Sequence, residues 1–182
     1  WYSMHNLILQ LGLTTQGLTP VIRHPGAALN PNEVNLITLT PRDMPTALLS
    51  RKIEGYIVAD PFHALAQVRF KARIMRFSGD IWKNHPCCVI VGHERYIRLN
   101  PIRVQKAMNA IVRAQAWCMD NPRETAHLLS RDGEGYLPVP KSVLQRVFDN
   151  PGRAELVHPD WDVERIGFQP YPFPSATRFI IN

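Results

Sequence analysis

The sequence predicts an α/β fold, and three observations carry it. Gly55-Tyr56-Ile57-Val58-Ala59 is a short continuous apolar run of the kind a buried parallel strand presents. Pro61 directly after it opens a helical pattern through Ala64, Leu65 and Val68. Strand and helix patterns alternate up to about Val91, which places a ligand cleft beyond the carboxyl ends of the strands.

The elements follow in order. Ser3 is an N-cap candidate for a helix of about three turns, with Met4, Leu7, Ile8 and Leu11 at helical spacing and a stop near Gly12 or Gly17. A Pro/Gly/Asn segment runs from Pro20 to Asn32. Val34 to Leu39 alternates as a strand does, and Pro41 is expected to open a helix through Met44, Leu48 and Leu49 that closes near Lys52. Ile74 to Phe77 and Cys87 to Val91 read as further strands, separated by the Ser78-Gly79-Asp80 turn and by Trp82 to Pro86. Asn100-Pro101 then starts a long helix carrying Val104, Met108, Ile111 and Trp117, which ends at Asp120-Asn121-Pro122. Shorter helices are expected over Arg123 to Ser130 and Ser142 to Phe148. After Pro151, prolines and aromatics predict an extended segment laid across a surface.

Composition bounds the function. The chain has 182 residues, 45% hydrophobic and 20% charged, which excludes a disordered chain. No apolar run reaches the roughly 20 residues needed to span a bilayer. Lysine and arginine outnumber aspartate and glutamate by 21 to 15, a formal charge of +6 that suits an anionic ligand. The basic residues are dispersed, without a run of four or a basic helical stripe, so nucleic acid is not an expected partner.

Three cysteines, two of them adjacent, do not make a disulfide scaffold. His85, Cys87, Cys88 and His93 bring two imidazoles and two thiols within nine residues, yet a strand would send Cys87 and Cys88 to opposite faces. Thiols buried in a core strand are the expected reading. The glycines match neither a dinucleotide fingerprint nor a P-loop, and no nucleophile elbow is present. No catalytic residue, metal or cofactor is expected.

Two places put polar groups where a ligand needs them. Ser3, His5 and Asn6 sit on a first helical turn, where unpaired N–H groups and the positive end of the helix dipole favour an anion. A plain capping serine with a surface histidine explains the same residues. Asp60-Pro61-Phe62-His63 lies at a strand-to-helix junction, the usual place for a cleft residue, while an Asp N-cap with Pro at N1 accounts for the first two without any ligand.

Taken together, Ser3-Met4-His5-Asn6, Pro41-Arg42-Asp43-Met44-Pro45, Ala47-Leu48-Leu49, Ile53 to Phe62 and Asp80-Ile81-Trp82-Lys83-Asn84-His85-Pro86 resemble the solute-binding proteins of ABC importers for nitrate, bicarbonate, sulfonates and taurine. The likeness continues into Ala110 to Trp117 and Asn121 to Leu129. It implies a type II periplasmic-binding-protein fold, a three-layer α/β/α lobe with additional C-terminal helices. On that basis residues 1–100 are expected to form the ligand-binding lobe, 101–150 a helical segment packing on or bridging the lobes, and 151–182 a return segment. The family's first lobe and export signal are expected to lie outside this chain, which starts without an initiator methionine.

Carried over by position, the resemblance implies ligand-binding roles for Ser3, Met4, His5 and Asn6 and for Asp60, Pro61 and Phe62. It implies as partners a small anion or organic solute and the permease and ATPase subunits of an ABC transporter. The implied location is periplasmic or extracytoplasmic. Met4 stands where nitrate and bicarbonate binders often have threonine and cannot donate a hydrogen bond. Asp60 stands where the family has glutamate and reaches less far. Both departures weigh toward an organic ligand such as an alkyl sulfonate, with Phe62 keeping an aromatic wall. Two other readings go with the resemblance: a cytoplasmic nitrate- or nitrite-type sensor of the same fold, and binding or synthesis of the thiamine-pyrimidine precursor.

Overall fold

In the computed structural model the described residues are 3–85 and 87–149, with Arg165, Gly167, Pro174 and Arg178. They fall into two compact units, the first carrying residues 3–85 and the second 87–149.

The first unit begins with helix α1, Met4–Thr15. Ser3 caps it in extended backbone, its Oγ accepting the Asn6 N–H at 3.2 Å. At the other end Gly17 takes φ +75°, donates to the Thr14 carbonyl and lets Leu18 donate to Leu13, which closes the helix with a Schellman motif. Two three-residue strands follow, β1 (Thr19–Val21) and β2 (Glu33–Asn35), paired in parallel with Pro20 opposite Val34. A proline is tolerated because each strand of a two-stranded sheet is an edge. Side chains extend the pairing: Asn35 Oδ1 accepts the Arg23 N–H at 2.7 Å, and its Nδ2 donates to the Arg23 carbonyl at 3.1 Å. Glu33 bridges the Arg23 guanidinium at 2.6 Å and accepts the Asn30 N–H at 2.8 Å. That backbone N–H, ahead of the arginine, holds the Glu33 carboxyl below its usual value.

Helix α2 spans Met44–Leu49, so Pro41 lies in the turn before the helix and Pro45 is the proline of its first turn. Asp43 turns its carboxylate to the Thr40 hydroxyl at 2.7 Å, which fixes the preceding turn. Helix α3, Phe62–Phe70, packs against α2 and ends on Lys71 in the left-handed region. Ile8, Pro45, Ala64 and Ala66 are fully or almost fully buried, and Leu36, Ala47 and Ile53 nearly so.

The parallel sheet is smaller than expected. Gly55–Ala59, Ile74–Phe77 and Cys87–Val91 pair with nothing in a ladder among the described residues, and β1 overlaps the start of the Pro/Gly/Asn segment, where no strand was expected. The fold is therefore mixed, mainly helical with few strands. A strand is defined by a partner for its N–H and C=O groups, and a five-residue apolar run encodes extended backbone without encoding that partner.

The second unit is helical: α4 (Glu94–Leu99), α5 (Pro101–Asp120), α6 (Pro122–Leu129) and α7 (Lys141–Phe148). Its core lies between α6 and α7, where Thr125, Ala126, Val143, Leu144 and Val147 are buried together with Ser130 and Val139 of the connection. That connection is tightly tied. Ser130 Oγ donates to the His127 carbonyl and accepts the Asp132 N–H, Leu137 donates to Leu129, Arg131 to Val139, and the Asp132 carboxylate accepts the Lys141 N–H at 2.7 Å. No described helix is long and apolar enough to cross a membrane. Apart from the four single residues, the extended segment expected after Pro151 lies outside the described residues.

Candidate functional site

Ser3, Met4, His5 and Asn6 form the first turn of α1. Ser3 is exposed and the other three are half-buried. The Ser3 hydroxyl is used on Asn6, so it acts as a cap and also stands beside the open end of the helix.

His5 has a neighbour that the residue pattern did not assign. Segment 78–85 runs along α1: a methyl at Gly12 would stand 2.9 Å from Ile81 Cδ1, and His85 lies close enough to His5 to feel its charge. The segment is shaped by a single 3₁₀ turn, Ser78–Asp80, in which Asp80 Oδ2 accepts the Phe77 N–H at 3.1 Å. It continues through Asn84 at φ +54° to His85, whose N–H donates to the Trp82 carbonyl at 3.3 Å. Burial lowers both imidazoles below their usual value of 6.5, and His5 charge adds to the effect on His85. Both rings are therefore neutral near pH 7, the form in which an imidazole carries one N–H donor and one acceptor nitrogen. Two neutral imidazoles at a helix N-terminus can bind an oxyanion or a polar head group by hydrogen bonds without a formal counter-charge. The signal for His85 lay in the Asp80 to Pro86 stretch of the family resemblance, while its residue type pointed to a metal cluster.

Asp60, Pro61 and Phe62 open α3, one residue later than the capping pattern implied. Pro61 occupies the N-cap position, Phe62 is the first helical residue, and Asp60 reaches over Pro61 to accept the Ala64 N–H at 3.3 Å. Pro61 is buried and Phe62 half-buried. Tyr56 and His63 complete this cluster. Their rings stack at 5.3 Å with planes 8° apart, the Tyr56 hydroxyl donates to the Phe62 carbonyl at 3.1 Å, and the Val58 N–H donates to His63 Nε2 at 3.3 Å. Nε2 is thus the acceptor, leaving the ring proton on Nδ1, 3.9 Å from Asp60 Oδ1. Burial, then the Asp60 charge, pushes the Tyr56 phenol up to about 12, so it stays a donor. These side chains hold residues 56–59, which join no ladder among the described residues.

The sequence-assigned residues stand in two groups, Ser3–Asn6 on α1 and Asp60–Phe62 with His63 at the start of α3, and the structure adds His85 to the first and Tyr56, stacked on His63, to the second. Among the described residues no cluster of three or more His, Cys, Asp or Glu side chains is arranged to hold a metal ion. His93, expected beside the thiols as a possible ligand, caps α4 through Nδ1, which accepts the Arg95 N–H at 3.2 Å.

A family model described as the NMT1-like family matches residues 1–130. Over 149 residues, 81% of this chain and 21% of the relative, the sequence is 31% identical to a nitrate import ATP-binding protein, NrtC, of Synechococcus elongatus. It is 28% identical over 122 residues, 67% of this chain and 17% of the relative, to the bicarbonate transport ATP-binding protein CmpC of a Synechocystis species. It is likewise 28% identical to the nitrate/nitrite binding protein NrtA of a Nostoc species, over 67% of this chain and 29% of that protein. The chain thus spans less than a third of the length of these relatives. No solved structure matches it significantly. The match over residues 1–130 covers both groups of candidate residues and the motifs that resemble the solute-binding proteins, and the chain belongs to the NMT1-like family, the family of nitrate, sulfonate and bicarbonate binding proteins.

Proposed function

We propose that this chain is part of the solute-binding component of an ABC importer, that it acts outside the cytoplasm, and that its ligand is a small anion or organic solute of the nitrate, bicarbonate, taurine or alkyl-sulfonate class. The observation that carries the reading is the pair of half-buried imidazoles, His5 and His85, at the N-terminus of α1. A net positive charge and a helix start favour an anion, and neutral donors let the site release it. The names of the relatives support a nitrate or bicarbonate transport role, whereas Met4 and Asp60 favour a larger organic anion. In the full protein the chain would form one lobe of a type II clamshell, the ligand favouring closure by its preference for the closed form. Permease and ATPase subunits would be its partners, and the chain itself would perform no chemistry.

A second reading is favoured by one observation. Relatives in both transport systems carry ATP-binding names, and the matched stretch fills only about a fifth of each. The same fold would then serve as a cytoplasmic sensor of the transported anion, attached to the ATP-binding component.

Thermal-shift and calorimetric titration of the purified chain against nitrate, nitrite, bicarbonate, taurine, alkyl sulfonates and the thiamine-pyrimidine precursor tests the ligand class. A saturable shift with one anion, lost in His5→Ala and His85→Ala while both variants keep the unliganded melting temperature, is the expected result. Binding that survives both substitutions removes the imidazole pair from the site. Fractionation of cells producing the native gene separates the two locations.

A further inference from the structure

The adjacent cysteines do not behave as core residues. Cys87 and Cys88 are both exposed, and their Sγ atoms lie 3.6 Å apart, on the same side of the chain. A regular strand would have sent them to opposite faces, but 87–91 is not a strand here. Among the described residues no backbone hydrogen bond joins 88–92 to another segment.

We infer that Cys87 and Cys88 form a vicinal dithiol that closes reversibly to a disulfide by exchange with a low-molecular-weight disulfide. One cysteine, deprotonated, attacks a sulfur of the small disulfide and expels a thiolate, which takes up a proton. The other thiol then loses its proton to solvent, attacks the protein sulfur of the mixed disulfide and expels the second thiolate. The protein pair is oxidised by two electrons and one small disulfide is reduced to two thiols. Proximity makes the second step intramolecular: the sulfurs have only to close from 3.6 Å to the ~2.05 Å of the bond. The product is strained, because neighbouring Cα atoms across a trans peptide are about 3.8 Å apart, shorter than the roughly 4.4–6.8 Å of ordinary disulfides. Strained, exposed disulfides are the readily reduced ones, so the site is a reversible switch and not a staple.

The test uses the full chain, fully reduced and then exposed to oxidised glutathione, with intact mass and peptide mapping as readouts. The expected product has lost two hydrogens, carries the bond within the peptide containing both cysteines, bears no glutathione there, and returns to the dithiol with excess glutathione. Cys87→Ser and Cys88→Ser should each hold a stable glutathione adduct on the remaining cysteine, while Cys118→Ser should behave as the parent. A persistent adduct at Cys87 or Cys88 in the parent chain, thiols that stay free, or a bond to Cys118 or to a second copy would each overturn the proposal. The parent chain alone decides the matter should a serine variant misfold.

Discussion

His63 and Tyr56 lie ring on ring, 5.3 Å apart and 8° from parallel, so one helical side chain holds a segment that joins no ladder among the described residues. Replacing His63 by alanine removes the stack and leaves the Val58 N–H without its acceptor. A loss of about 1–3 kcal/mol is expected, the cost of a part-buried donor left unmade. Urea unfolding checks it, and a His63→Ala midpoint equal to that of the parent would show that residues 56–59 are held by something else.

Asp60 is the second anchor of the same junction. Its carboxylate takes the Ala64 N–H, so Asp60→Ala should lower stability by about 1 kcal/mol, as loss of a helix cap does. Asp60→Asn, which keeps an acceptor oxygen, should recover most of it. Weaker ligand binding at an unchanged melting temperature would instead move Asp60 from scaffold to ligand contact.

The histidine pair predicts an acid-sensitive window. Both folded-state values lie below the usual 6.5, so the unfolded chain binds more protons as pH falls. Their contribution to stability is complete above 6.5 and declines as pH drops through 6.5 toward the lowered folded values. Melting temperature followed from about pH 8 to pH 5 should fall below 6.5, and His5→Gln with His85→Gln should flatten that part of the curve. Glu33 acts in a separate window, since its value falls from an ordinary 4.5 and its support is lost only at lower pH.

Helix ends were legible because their signals are local. Ser3 announced the start of α1, Gly17 was one of the two stops expected for it, and Asn100-Pro101 and Asn121-Pro122 marked the bounds of α5, each through backbone groups within a few residues. Pro41 misled because a proline suits a turn as well as a first helical residue, and Pro45 took the helical role. Pairing was less legible. Thr19-Pro20-Val21 has no strand signature, yet the Asn35 side chain, at the end of β2, extends its pairing to the Arg23 backbone beyond β1. The site was half legible for the same reason: Ser3, His5 and Asp60 announce themselves by helix chemistry, whereas His85 meets His5 only because Ile81 docks beside Gly12, far away in sequence.

Gly133 tests the connection between α6 and α7. A methyl there would stand 2.2 Å from the His127 carbonyl oxygen, a backbone atom that cannot swing aside. Gly133→Ala should cost about 1–3 kcal/mol or more, the range for overpacking. Gly135→Ala, at φ +75° with open space around it, should cost about 1–2 kcal/mol from the left-handed backbone alone. Equal denaturation midpoints for the two variants would mean that the connection relaxes around residue 133.

The web of bonds around Ser130 sets what this stretch can absorb over evolutionary time. Beyond the side chains of Ser130 and Asp132 and the two glycines, most of the ties join peptide groups, so what the stretch fixes above all is its residue count. Adding or deleting one residue between 131 and 139 would put every later donor out of step with its acceptor. Affinity tags, reporter inserts and new termini therefore belong elsewhere, for instance in the exposed turn at Pro25 and Gly26.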